Sequence, residues 1–249
     1  MFAKISIFLR RYLKVWAALL SGVALYGAAV AVPTHDQVVL NPADAEGVKA
    51  VVLSWLHFVT NAATLPEPHR FTAQLPPRAV MEQRLNEIEN CLDLMWADCP
   101  QKSGLKETLT GNAEWFRGSV GLIDFGTSIL NVAWDNITVV GDKAEVTVTF
   151  TDRFGGFWLD GPPGLWVSEG TSVDKFILVK QNGRWKISYW KVVSGPGSAE
   201  IIYQESVTKG DLENPAKIGP LLEKARRLIG TPPEEVKKYL DPGLVGPYL

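Results

Sequence analysis

The sequence predicts an α+β fold with helices in its first half and antiparallel strands in its second. Three patterns carry this. Val48, Val51, Val52, Trp55, Val59 and Ala62 recur at helical spacing. Val146, Val148 and Phe150 alternate with Glu145, Thr147, Thr149 and Thr151, as in a strand with one buried and one wet face. Phe176–Lys180 and Arg184–Val193 are joined by Gln181-Asn182-Gly183, and Asn-Gly is the strongest short-range hairpin signal because a type I′ turn needs φ > 0 at both central residues. At 249 residues, one core of roughly 150 residues with flanking segments is expected.

The elements follow in order. Residues 1–33 form a basic end and an apolar run, and residues 34–43 a linker. Asn41-Pro42-Ala43-Asp44 reads as a helix start, with an Asn cap, Pro at the first position and an acid in the first turn; the helix runs to about Ala62. Thr64–Pro77 is a proline-rich loop. A second helix carries Met81, Leu85, Ile88, Leu92 and Met95 on one face, and a third covers Leu105–Phe116 with Ser103 as its cap. Strands then occupy the region of Leu130, Val132 and Trp134, Ala144–Asp152 and the Asn-Gly hairpin. In the last strand Trp185, Ile187 and Tyr189 point one way, and Lys186, Ser188 and Trp190 the other. The domain spans 44–195. Residues 196–249 form a helical tail, with one helix at Pro220–Ile229 closed by Gly230 and another opened by a capping box at Thr231-Pro232-Pro233-Glu234.

Location is written at the N-terminus. Lys4, Arg10, Arg11 and Lys14 precede Val15–Val32, eighteen residues without a charge, closed by Pro33. Such a run is long enough to cross a bilayer core of about 30 Å, and it also has the form of an export signal, with Ala29-Val30-Ala31 at a cleavage position. The reading adopted is an uncleaved single-pass anchor through residues 15–32 with residues 34–249 outside the cytoplasm; secretion after cleavage is the alternative. Taking those four positive charges from the formal net charge of −2 leaves −6 on the remainder. A domain that acidic is a poor partner for a phosphate backbone, which excludes direct nucleic-acid binding.

Cys91 and Cys99 are the two cysteines. In an oxidising compartment they are a disulfide candidate. A continuous helix would hold them about 12 Å apart, so a bridge requires the chain to turn before Cys99-Pro100. There is no G-x-S-x-G elbow, H-E-x-x-H pair or phosphate loop, and no His at metal-ligand spacing to the cysteines. Neither cofactor nor metal is expected.

Helices followed by an antiparallel meander, with Asn182-Gly183-Arg184-Trp185-Lys186-Ile187 in the last hairpin, resemble the nuclear-transport-factor-2-like superfamily. The resemblance covers about residues 44–193 and implies a strongly curved sheet wrapped around the first helix as a cone. That superfamily contains enzymes, binding proteins and scaffolds. Its enzymes commonly set an Asp or His with a Tyr inside the cone, which makes His57, Asp135 and Tyr189 the catalytic candidates, with Asp124, Asp152 and Asp174 behind them. Each also has a plainer reading. His57 lies roughly opposite the apolar stripe of its helix and is expected exposed or loosely packed. Asp135 and Asp152 fall near expected strand ends, as solvated turn carboxylates. Tyr189 shares a face with Trp185 and Ile187, as a core residue. His35 and His69 fall in linker and loop.

Phe154–Val167 reads as a Gly- and Pro-rich connection carrying Phe157, Trp158, Leu165 and Trp166. These four are the candidate interaction site. They can anchor a partner, fold over the cone mouth as a lid, or pack on the tail. An anchored domain outside the cytoplasm is similar to the bridging inner-membrane components of conjugation and type IV secretion machines. The functional expectation is an envelope scaffold acting on other envelope proteins or on copies of itself, without catalysis. The alternative is a ligand-binding or enzymatic cone for an apolar small molecule. The interior decides between them: convergent polar groups favour the second, a filled core the first.

Overall fold

The computed structural model describes residues 42–62, 64, 77–118, 122–158, 164–195 and 199–240. The apolar run at 15–32 and the turn at Asp241-Pro242-Gly243 lie outside them. No helix among the described residues is long and apolar enough to cross a membrane.

Three helices come first: α1 (Pro42–Thr60), α2 (Arg78–Met95) and α3 (Pro100–Gly118). Strands β1 (Leu122–Val140), β2 (Lys143–Trp158), β3 (Gly164–Gln181) and β4 (Arg184–Ser194) form an antiparallel meander. The tail adds β5 (Glu200–Ser206), α4 (Lys209–Leu212), α5 (Pro215–Ile229) and α6 (Glu234–Lys237). The α+β class holds, and the sheet is open. The tail is not wholly helical: β5 pairs with Gly164–Glu169 on the same edge of β3 that β4 occupies at Val173–Gln181. The turn between β3 and β4 has Asn182 at φ 52 and Gly183 at φ 75, as type I′ requires. α3 starts at Pro100, so Ser103 lies inside it rather than capping it. α6 begins after Pro233 with no side-chain cap, so the capping box expected at Thr231 is absent; one forms instead at Thr208 and Asp211.

The outer strands carry extra residues that the central pair lacks. β1 bulges at Phe125, Leu130 and Asp135 against β2, and β4 bulges at Ser188 and Val193 against β3, while β2 and β3 pair without a break. Each bulge bends and twists its strand. The bulge at Ser188 also reverses the parity of β4. Trp185 and Ile187 point inward as expected, but beyond Ser188 the inward residue is Trp190, and Tyr189 turns away half-buried. The Ser188 hydroxyl donates to the Ile177 carbonyl at 3.1 Å within the bulge.

The inner face of the sheet holds the main core. Ala144, Val146, Val148 and Phe150 of β2 and Phe176 and Leu178 of β3 meet α1, α2 and the start of α3. Trp55 sits at its centre, its ring edge-on to Trp96 at 5.1 Å and to Trp190 at 5.5 Å. α1 is enclosed around most of its second half, so Leu53, Leu56, His57 and Phe58 are buried together with Val48, Val52, Trp55 and Ala62 of the predicted stripe, while Val51 and Val59 are half-buried. Buried Arg84 on α2 seals the end of α1, donating to the carbonyls of Asn61 at 2.8 Å and Ala62 at 3.0 Å.

A second core lies on the outer face at the other end of the sheet. Phe157, Leu165 and Val167 have the opposite parity to the main core and pack with Phe125, Ile218, Ala225 and Ile229. α5 crosses β3, β2 and β1 there. Gly155 permits the approach: a Cβ on it would lie 2.7 Å from the Trp166 carbonyl and 3.1 Å from Ile229. The chain turns at Gly230, φ 72, and returns on the β1 side to the inner face, where Val236 and Leu240 join the main core. The tail is thus a strap over both faces.

Candidate functional site

Beyond Phe150 the inner face changes character. Its cross-strand pairs on β2 and β3 are Val148 with Asp174, Phe150 with Ser172, Asp152 with Gly170, Phe154 with Ser168, and Gly156 with Trp166. A polar stripe of small residues and two acids therefore continues directly from the aromatic core. Asp152 stands opposite a glycine, so no β3 side chain shares its step. On the β1 side it faces Ile129.

Both acids are buried. Asp174 is 1% exposed, while Asp152 (8%), Ser172 (6%), Ser168 (5%) and Thr127 (5%) keep a little water-accessible surface. Trp190 Nε1 donates to Asp174 Oδ2 at 2.7 Å, and Asp174 Oδ1 is buried with no hydrogen-bond partner. An unmet buried acceptor costs about 1–3 kcal/mol, more if charged, so such groups mark strain or function. Burial pushes the Asp174 carboxyl up to about 7, against the pull of the Trp190 N–H. Burial likewise pushes Asp152 up to about 7, with bonding to its own backbone opposing and the charges of Asp174 and Glu169 adding. Near neutrality each can donate or accept a proton, the property expected of acid–base or ligand-binding groups.

The sequence-predicted residues are not brought together as expected. His57 is buried, 2% exposed, rather than exposed, because α1 is enclosed. It precedes Asn61 by one turn on the same side of α1, and the Asn61 amide clasps the β1 backbone at Thr127, accepting from its N–H at 2.8 Å and donating to its carbonyl at 3.0 Å. Asp135 is a bulge residue in mid-strand, exposed, accepting from the Thr149 hydroxyl at 2.6 Å. Tyr189 is outside the core for the reason given above. The Asp124 side chain lies outside the described residues, as do His35 and His69.

Asp152 is not at a strand end, since β2 runs on to Trp158. Its importance was readable: it shares the parity of Val146, Val148 and Phe150, and Asp174 that of Phe176 and Leu178. Phe157, Leu165 and Trp166 belong to the paired ends of β2 and β3, not to a loop, and all three are buried. The exposed-anchor reading therefore does not describe them, and Phe157 and Leu165 pack with the tail. The Trp158 side chain is outside the described residues. Cys91 and Cys99 are not joined by a disulfide, contrary to the expected bridge: after α2 the chain runs extended along β4, with Ala97 N–H bonded to the Ile187 carbonyl at 2.9 Å, instead of folding back. Burial raises the Cys91 thiol to about 11, which keeps it unreactive at neutral pH. Among the described residues no three His, Cys, Asp or Glu side chains come together as a metal site.

No family model matches the chain, and no curated protein matches it. Among solved structures, the intermembrane space region of the chloroplast protein ARC6 is similar at 18% identity and a TM-score of 0.41, over 65% of this chain and 99% of that one.

Proposed function

We propose that this chain is a small-molecule-binding domain of the curved, cone-like α+β type, held at the outer face of a membrane by residues 15–32. The single observation that carries the binding reading is the buried stripe of Asp152 and Asp174, one of whose oxygens has no partner. A purely structural core gains nothing from two carboxyls in an apolar setting, where each costs several kcal/mol unless compensated. The bulges of β1 and β4 support the curved form of sheet that the superfamily resemblance implies.

A second reading, contact with other envelope proteins as a scaffold, draws on β5. Its residues are exposed apart from half-buried Tyr203, and Ile201 and Ile202 are among the large exposed apolar side chains. By contrast, the neighbouring edge of β4 is covered by Trp96–Ala97 and by Gln101, whose amide makes two bonds to the Trp190 backbone.

One experiment separates the readings. In thermal unfolding of the full-length chain in detergent, aromatic fragments should raise the midpoint by several degrees, and the Asp152→Asn/Asp174→Asn double variant should lose that response. No response to any fragment, together with a midpoint that rises with protein concentration, would favour the scaffold reading. For the anchor, alkaline carbonate extraction of native membranes should leave the full-length chain in the pellet; release of a shortened chain means residues 15–32 are a cleaved signal.

A further inference from the structure

We propose that the inner-face stripe takes an organic cation, an amine carried on an apolar body; this rests on the ligand-site reading above. Charge is the first argument. Several exposed and half-exposed acids on the described surface have cationic partners, among them Asp44 with Lys180 at 2.6 Å, Glu145 with Lys175 at 2.7 Å and Glu169 with Arg153 at 2.6 Å. Asp152 and Asp174, the two buried acids among the described residues, have no lysine or arginine of those residues at ion-pair distance. A buried carboxylate is stable when paired and hydrogen-bonded, and the described residues supply neither acid with its cation.

Hydrogen bonding is the second argument. Asp174 already accepts from Trp190 on one oxygen, so the group that completes the other oxygen of the ionised carboxylate is a donor. An ammonium offers donors and no acceptor. Space is the third. Asp152 stands across from Gly170, with the small side chains of Ser168 and Ser172 on the adjacent steps, so no bulky β3 side chain crowds the stripe beside it. The rings at either side suit the rest of such a ligand. Phe150 lies between the two acids on β2, and Phe154 packs edge-on to Trp166 at 5.8 Å beyond Asp152. Aromatic faces attract ammonium groups as well as apolar bodies. A metal ion fits less well. The two acids are offset by four residues along β2, Asp174 lying opposite Val148, and calcium wants 6–8 oxygens.

The test uses benzylamine, benzyl alcohol and benzoate as matched probes, titrated calorimetrically into the full-length chain in detergent micelles with empty micelles subtracted. Benzylamine should bind at least tenfold more tightly than benzyl alcohol, and benzoate not at all. Asp174→Asn should reduce benzylamine binding at least tenfold, and Asp152→Asn, four residues further along β2, should reduce it by less. Both exchanges conserve volume, and the amide introduced by Asp174→Asn keeps an oxygen for the Trp190 N–H, so a single cooperative unfolding transition in each variant verifies the fold. Benzyl alcohol binding as well as benzylamine would overturn the cation inference while leaving a ligand site in place. A benzylamine preference that survives both variants would place the cation elsewhere and overturn it too. Binding of none of the three probes would remove the cation inference and, with an absent fragment response, the ligand site itself. A calcium-induced rise in the unfolding midpoint that both variants abolish would replace the amine with a metal.

Discussion

Ending the chain at Val207 should leave no cooperatively folded domain. The deletion removes Ile218, Ala225 and Ile229 from the outer core and Val236 and Leu240 from the inner one. It also uncovers Phe157, Leu165 and Val167, whose burial depends on α5. Fully burying a large apolar side chain is worth roughly 1.5–3 kcal/mol. Losing that contribution at this many positions consumes the ~5–15 kcal/mol by which ordinary domains are stable. The truncated chain should be insoluble or show no unfolding transition by calorimetry. A soluble product with a sharp transition would show the strap to be an accessory. Ile229→Asp is the milder companion: it places a charge against Gly155 and Phe157, and should lower the unfolding midpoint steeply while leaving the chain full length.

The contribution of Asp152 and Asp174 to stability should fall as pH rises from about 4 to 7, the reverse of ordinary acid denaturation. Asp152 and Asp174 titrate at about 7 in the folded protein, against 3.8 as free side chains. Between those values the folded state holds protons that the unfolded state has released. Their stabilising contribution is therefore fully present below the unfolded value and is lost as pH climbs to the folded one. Each group contributes a slope of up to ~1.4 kcal/mol per pH unit in that window. Other carboxylates act oppositely. Hydrogen bonds from Lys217 and Thr208 hold the half-buried Asp211 well below the usual range, for example. The measurement is therefore the difference between wild type and Asp174→Asn in denaturant unfolding at a series of pH values. The variant should be the more stable at pH 8 and should lose that advantage at pH 4. A difference independent of pH would mean that Asp174 is solvated and ionised throughout, and the buried-acid site would fall with it.

Much of the architecture was legible in the residues themselves. The stripe from Val48 to Ala62 specified α1, because burial of one side recurs every turn of a helix. Asn182-Gly183 specified its turn, because only such residues accept two positive φ values cheaply. The alternation through Ala144–Asp152 specified which face of β2 is dry. These are local properties, set by backbone sterics and by the period of each element. The tertiary structure decided everything that depends on a neighbour. One extra residue at Ser188 moved Trp190 into the core and Tyr189 out of it, and no period in β4 announces a bulge, since bulges arise where paired strands must differ in length. Enclosure of α1 buried His57 despite its place off the stripe. Continued pairing turned Phe157, Leu165 and Trp166 from an apparent loop into strand ends, and only the returning tail made the outer face, where Phe157 and Leu165 lie, dry. The acid pair lies between the two regimes. Parity alone puts Asp152 and Asp174 on the inner face, but whether an acid there meets water or the protein interior depends on what covers the sheet, and that covering comes from residues far away in the chain.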